Sequence, residues 1–350
     1  MEREIQQTQE LWSTAEAMVA EGRGILAADE STGTIGRRFA AIGVENTEAH
    51  RRDYRELLFR TDGFEQYVSG VILFDETIRQ RAADGTPLVE LLQGRGVIPG
   101  IKVDAGAKPL AGASGETVTE GLDGLRERLA EYRGLGARFA KWRAVIHIGE
   151  GRPTGYAIDA NAHALARYAA LCQEAGLVPI VEPEVLMDGG HDIDACFDAT
   201  EATLREVFYQ LAHQGVGLDA MVLKPNMVLS GKAASERAAP DEVAEMTLSC
   251  FLHTVPAAVP GIAFLSGGQS DDEATRNLDA ICRLAADIGA PWELTFSYGR
   301  GLQAAPLAAW GGKREQVAEA QRAFLQRARV VAAARMGAYE PETEAALGEG

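Results

Sequence analysis

The chain has 350 residues, 46% of them hydrophobic, and its 34 basic against 51 acidic residues give a net charge of −17. That balance argues against broad nucleic-acid binding and against adhesion to anionic membranes, so an anionic ligand must be held by a local basic group. The polar opening Met1-Glu-Arg-Glu-Ile-Gln-Gln has no apolar signal core, no run of roughly 18 apolar residues appears, and Cys172, Cys196, Cys250 and Cys282 form no C-x-x-C pair, which leads us to expect a cytoplasmic protein without a disulfide framework or zinc knuckle.

In chain order, eight short apolar or β-rich runs occupy residues 25–29, 68–74, 97–103, 139–148, 178–184, 220–224, 262–266 and 294–298. Between them, apolar residues at three- and four-residue spacing predict helices over 122–132, 162–175, 202–214 and 271–286. Strands alternating with helices imply a parallel sheet with crossover helices. The runs end on or near Asp29, Glu76, Lys102, Lys141, Glu182, Lys224, Ser266 and Arg300, about one βα unit apart. Eight such units favour an α/β fold closed as a (β/α)8 TIM barrel over an open doubly wound sheet. A single domain is expected over 1–337. Residues 338–350, with Glu340, Glu342, Glu344 and Glu349, read as a mobile acidic tail.

Barrel enzymes place catalysis at the C-terminal ends of strands, where the frame is rigid and the loops are free to vary. The first such end is Gly24-Ile-Leu-Ala-Ala-Asp-Glu-Ser-Thr-Gly33, where Asp29 could take or orient a hydroxyl proton as a carbon–carbon bond breaks; alone, the same string is an ordinary helix N-cap region. In Phe139-Ala-Lys-Trp-Arg-Ala-Val, strand alternation sends Lys141 and Arg143 to one face. Glu182 and Glu184 share a face one strand later. Two cations and two carboxylates together make either an acid/base set or a structural ion-pair network. In Met221-Val-Leu-Lys-Pro225, Lys224 follows three apolar residues. An amine held there loses hydration, which disfavours the ammonium form and leaves a nucleophile able to attack a ketone; a second ammonium from Lys141 would add to this by repulsion. The alternative is a lysine snorkelling from a strand end.

After the last two runs, Leu265-Ser-Gly-Gly-Gln-Ser270 offers a hydroxyl and unobstructed backbone N–H groups at Ser266, Gly267 and Gly268, and Ser297-Tyr-Gly-Arg-Gly301 adds Arg300 beside Gly299. Loops after the seventh and eighth strands are the usual phosphate site of such barrels. Thr34, Arg38 and Lys102 could hold a second phosphate across the mouth. The six histidines show no close ligand spacing, so no metal and no cofactor is expected, and no G-x-x-x-x-G-K-[ST] loop is present.

These segments, with Ile72-Leu-Phe-Asp-Glu-Thr77, Gly100-Ile-Lys-Val-Asp104 and Leu223-Lys-Pro-Asn-Met-Val228, resemble the class I fructose-bisphosphate aldolase family over nearly the whole chain. The resemblance implies a metal-independent lyase that forms a Schiff base at Lys224, with Glu182 as principal acid/base and Glu184, Lys141 and Asp29 assisting. It implies that Ser266, Gly267, Gly268, Ser297, Gly299 and Arg300 hold the C1 phosphate, that Thr34, Arg38 and Lys102 lie near the C6 phosphate, and that Arg143 contacts the substrate. The expected reaction is reversible cleavage of fructose 1,6-bisphosphate to dihydroxyacetone phosphate and glyceraldehyde 3-phosphate in glycolysis and gluconeogenesis, by a homotetramer. The chain departs from the family at Thr34, where serine is usual. It also lacks the terminal tyrosine that serves proton exchange at C3 in vertebrate members; its last tyrosine is Tyr339. The alternatives are a Schiff-base or transaldolase-like enzyme acting on another sugar phosphate, a metal-dependent aldolase or isomerase, and a non-catalytic barrel binding protein.

Overall fold

The computed structural model describes residues 2–341, so the acidic tail expected over 338–350 lies outside the described residues from 342 onward. In chain order the strands are β1 (Gly24–Ala28), β2 (Val68–Leu73), β3 (Ile98–Lys102), β4 (Ala107–Pro109), β5 (Thr117–Thr119), β6 (Phe139–Ile146), β7 (Val178–Val185), β8 (Val222–Leu223), β9 (Gly261–Phe264) and β10 (Glu293–Tyr298). Eight of them pair in parallel and close into a barrel in the order β1-β2-β3-β6-β7-β8-β9-β10, while β4 and β5 form an antiparallel hairpin between β3 and β6. The expected helices are found as Leu125–Gly134, Gly155–Glu174, Ile193–His213 and Asp271–Ile288.

Strand alternation assigns every side chain its layer. Ile25, Ala27, Ile72, Phe139, Val178, Ile180, Val222 and Ala263 point inward and form one apolar cluster. Their neighbours Leu26, Ala28, Leu73, Ala140, Trp142, Val181, Leu223 and Phe264 point outward and pack under the helices in a second, larger core. Inside, the ring of Phe139 fills space left by glycines: a Cβ on Gly100 would lie 2.2 Å from it. Continuing each inward row by two or four residues past the apolar filling arrives at Asp29, Lys102, Lys141, Glu182 and Lys224. The core therefore ends where the charges begin.

The base of the barrel is closed. Helix Glu2–Met18 supplies Leu11, Ala15 and Met18 to the inner cluster, and Val19 occupies the space beside Gly261 that a side chain there would need. Ser69 donates to the Met18 carbonyl at 2.5 Å, and the buried Arg335 guanidinium donates to the carbonyls of Val19 and Arg23 at 2.6 Å each.

One expected strand end is corrected. β2 stops at Leu73, and Glu76 belongs to helix Asp75–Arg79, where the Arg51 Nε donates to it at 2.9 Å, away from the mouth. The run 220–224 shortens because residues Leu218–Ala220 form a 3-10 turn. Lys224 nevertheless stays in the ladder, its N–H donating to the Val181 carbonyl at 2.8 Å.

Candidate active site

At the floor of the barrel mouth four charges alternate in sign. Lys224 Nζ lies 3.2 Å from Glu182 Oε1, Glu182 Oε2 lies 3.3 Å from Lys141 Nζ, and Lys141 Nζ lies 2.7 Å from Asp29 Oδ2. All four are buried or nearly so, and their backbones are fixed by the pairing of β1, β6, β7 and β8 around the barrel. The two ammonium groups do not face each other bare, since Glu182 stands between them. Burial alone would raise the pKa of Asp29, but the charges of Lys141 and Lys224 and the hydrogen bond from Lys141 outweigh it and bring the carboxyl to about 2. Burial would likewise lower that of Lys141, yet Asp29 and Glu182 hold its ammonium well above the ordinary value. Beside this row Arg143 pairs with Glu184, whose charge keeps the guanidinium protonated against a burial that opposes it.

Two buried polar atoms here make no hydrogen bond with the protein: Glu182 Oε2, which meets Lys141 outside hydrogen-bonding geometry, and Ser297 Oγ on β10. Buried polar atoms are rarely left so, and these two offer an acceptor and a hydroxyl to a ligand.

Beyond β9 the chain turns through Ser266, Gly267 and Gly268 before Ser270 caps helix Asp271–Ile288. Side chains are excluded from this turn: Gly268 has φ +78°, and a Cβ on Gly267 would fall 2.6 Å from Glu184 Oε1. Gly299 caps helix Arg300–Trp310, and Arg300 donates to the Gln269 carbonyl, tying the loops after β9 and β10 together. Across the mouth, Thr34 Oγ1 accepts from Ser31 Oγ at 3.2 Å, Arg38 pairs with Glu30, and Lys102 Nζ lies 2.6 Å from Asp104 Oδ1. The basic group expected there is present, but each of its two cations already has a carboxylate.

All the site residues singled out from the sequence line one cavity of about 1000 Å³, a size suited to a small-molecule ligand. Its lining also holds Glu30 and Asp104, which the sequence reading missed. Asp104 was within reach of it, two residues beyond Lys102 and so on the same side of an extended chain. Tyr339 lies outside the lining, its hydroxyl 3.4 Å from Asp272.

The sequence pattern of the family described as "Fructose-bisphosphate aldolase class-I" matches residues 10–349. A protein of Xanthomonas axonopodis pv. citri named "Probable fructose-bisphosphate aldolase class 1" is 56% identical over 333 residues, spanning 95% of this chain and 99% of its own. The protein "Fructose-bisphosphate aldolase 4, cytosolic" of Arabidopsis thaliana is 53% identical, spanning 99% of this chain and 87% of its own. The solved structure of fructose-bisphosphate aldolase from Plasmodium falciparum, in complex with TRAP and a small molecule inhibitor, superposes with a TM-score of 0.94 at 48% identity, covering 96% of both chains.

Proposed function

The chain belongs to the fructose-bisphosphate aldolase class-I family, and on that premise we propose that it works by an imine formed at Lys224. It is a lyase that reversibly cleaves fructose 1,6-bisphosphate to dihydroxyacetone phosphate and glyceraldehyde 3-phosphate, a step of glycolysis and gluconeogenesis. The observation that carries the mechanism is the contact of Lys224 Nζ with Glu182 at 3.2 Å, inside a row of buried charges at the mouth of the barrel.

The Lys224 amine adds to the C2 carbonyl carbon of the ketose phosphate to give a carbinolamine. Loss of the C2 hydroxyl with a proton, as water, gives the iminium; Lys141 supplies that proton and Glu182, within reach of both nitrogens, replaces it. The C3–C4 bond then breaks, its electron pair moving toward the iminium to leave an enamine, while the C4 hydroxyl passes its proton to the Glu182 carboxylate, free after its transfer to Lys141, and becomes the aldehyde. Asp29, ionised with a pKa near 2, is a weak base, so it serves first to hold that hydroxyl and Lys141 in line. Protonation at C3 and addition of water to the regenerated iminium release dihydroxyacetone phosphate and free Lys224.

One phosphate is bound by Ser266, Gly267, Gly268, Ser297, Gly299 and Arg300, and the other by Thr34, Arg38 and Lys102. The unpartnered Ser297 Oγ and the side-chain-free turn at Gly267 and Gly268 support the first, and the cations across the mouth support the second. Arg143 contacts the substrate from the cavity wall, where it is paired with Glu184. We assign the enzyme to the cytoplasm, a reading supported by four buried, unpaired cysteines, and a tagged chain found in a membrane or secreted fraction would overturn it.

Borohydride reduction in the presence of dihydroxyacetone phosphate and a chelator, followed by peptide mass mapping, tests the mechanism. A reduced adduct on Lys224 is the expected result. No adduct, together with cleavage abolished by the chelator, would replace it with a metal-dependent route.

A further inference from the structure

Arg55, on helix Glu48–Phe59, is 3% exposed and absent from the cavity lining. Its Nη2 lies 2.5 Å from Glu30 Oε2, while the other oxygen of that carboxylate takes Arg38 and accepts from Gln303 Nε2 at 2.7 Å. Gln303 Nε2 also donates to the Ala27 carbonyl at 2.7 Å, which fixes the group to the end of β1. Two guanidiniums thus share one carboxylate and leave a surplus of one positive charge. Of the two, Arg55 is enclosed, whereas Arg38 has 26% of its side chain exposed and lines the cavity. A buried ion network adds little stability that well-packed apolar groups could not, so stability alone does not account for a guanidinium at this position.

We propose that Arg55 is a positioning residue that sets the preference for a bisphosphate over a monophosphate, by occupying one oxygen of Glu30 and so leaving the charge of Arg38 for the second phosphate. This rests on the reading of Arg38 as part of the second phosphate site. Without Arg55, Glu30 and Arg38 form a neutral pair, and an arriving phosphate dianion must compete with a buried carboxylate for the same guanidinium. With it, the surplus charge is fixed before substrate arrives.

The test is the ratio of kcat/KM for fructose 1,6-bisphosphate to that for fructose 1-phosphate. Arg55→Met should lower the ratio on the order of tenfold, the size of one unit charge acting over about 10 Å at a dielectric constant of about 20. The loss should fall in KM for the bisphosphate, with fructose 1-phosphate cleavage unchanged. Arg55→Lys should keep the ratio, and the double variant Glu30→Gln/Arg55→Met, which restores the same surplus charge, should recover it. A drop of equal size for both substrates, or equal ratios in the Met and Lys variants, would mean a merely structural role. Should Arg55→Met alone fail to fold, the double variant decides: a ratio as low as that of Arg38→Gln overturns the inference. Arg38→Gln is also the control on the underlying reading. If it leaves the ratio unchanged, that reading falls and takes this inference with it; if it lowers the ratio while Arg55→Met does not, this inference alone falls.

Discussion

The carboxyl of Asp29 carries its environment in its acidity. Because its folded value, about 2, lies below the ordinary 3.8, its stabilising contribution is complete above the unfolded value and is lost as pH falls through about 2. At 1.36 kcal/mol per pKa unit, that contribution is roughly 2 kcal/mol. Asp29→Asn is therefore expected to flatten the acid limb of the stability curve by about that amount, as measured by urea unfolding between about pH 5 and pH 2. Coincident acid limbs for the two proteins would sink the ion-pair account. Lys224→Met is expected to abolish both adduct trapping and cleavage by several orders of magnitude with the circular dichroism spectrum unchanged, since the nucleophile is lost while Glu182 keeps Lys141; residual turnover near the wild-type rate would move the nucleophile elsewhere. At this scale the sequence was informative wherever a charge ended an apolar row, and Lys141, Glu182 and Lys224 were legible for that reason. It was silent on Glu30 as the partner of Arg38 and Arg55, because that carboxylate acts through contacts with another helix and with Gln303, hundreds of residues away. Lys102 is a different case: it looked free although its partner Asp104 stands only two residues on, where strand alternation places it on the same side.

Among the elements, β3 and β6 illustrate how the interior is filled. Phe139 fits because Gly100 yields the space, so Gly100→Ala puts a methyl 2.2 Å from the ring and is expected to cost about 1–3 kcal/mol, measured by thermal or urea unfolding. Shrinking the ring in Gly100→Ala/Phe139→Leu should recover part of that loss; an additive double variant would show that the two side chains do not share the space. The eight parallel strands could be read from the sequence because short apolar runs between helical patterns leave few other architectures. The hairpin β4–β5 could not, since three-residue strands lie below the length at which periodicity carries information. Helix Glu2–Met18 was missed for a different reason: most of its residues are polar, and the few that matter, Leu11, Ala15 and Met18, acquire a role only against the barrel floor. Glu76 was misread because the run 68–74 gave no sign that the strand stops at Leu73 and a short helix begins.

The molecule as a whole carries a net charge of −17, yet the lining of its cavity sets seven basic residues against five acidic ones. Anionic substrate is thus drawn to one place on an otherwise repelling body, and kcat/KM should fall as ionic strength rises from about 0.01 to 0.15 M, where the screening length shortens from about 30 to 8 Å. A rate independent of salt would leave capture to short-range contacts alone. We propose the homotetramer that the family resemblance implies, and light scattering should then return four chain masses; one chain mass would overturn it.

The closed floor has a consequence for the order of events. With Met18 and Val19 blocking the far end, everything that enters must leave by the same doorway. In the proposed imine mechanism, once the carbon–carbon bond breaks, one fragment is still bonded to Lys224 while the other is held by noncovalent contacts alone. On that mechanism the aldehyde departs first, and the ketone fragment follows only after water has entered through the passage the aldehyde vacated. In the synthetic direction the queue reverses, and an aldehyde arriving before its partner would occupy the corridor that the partner needs.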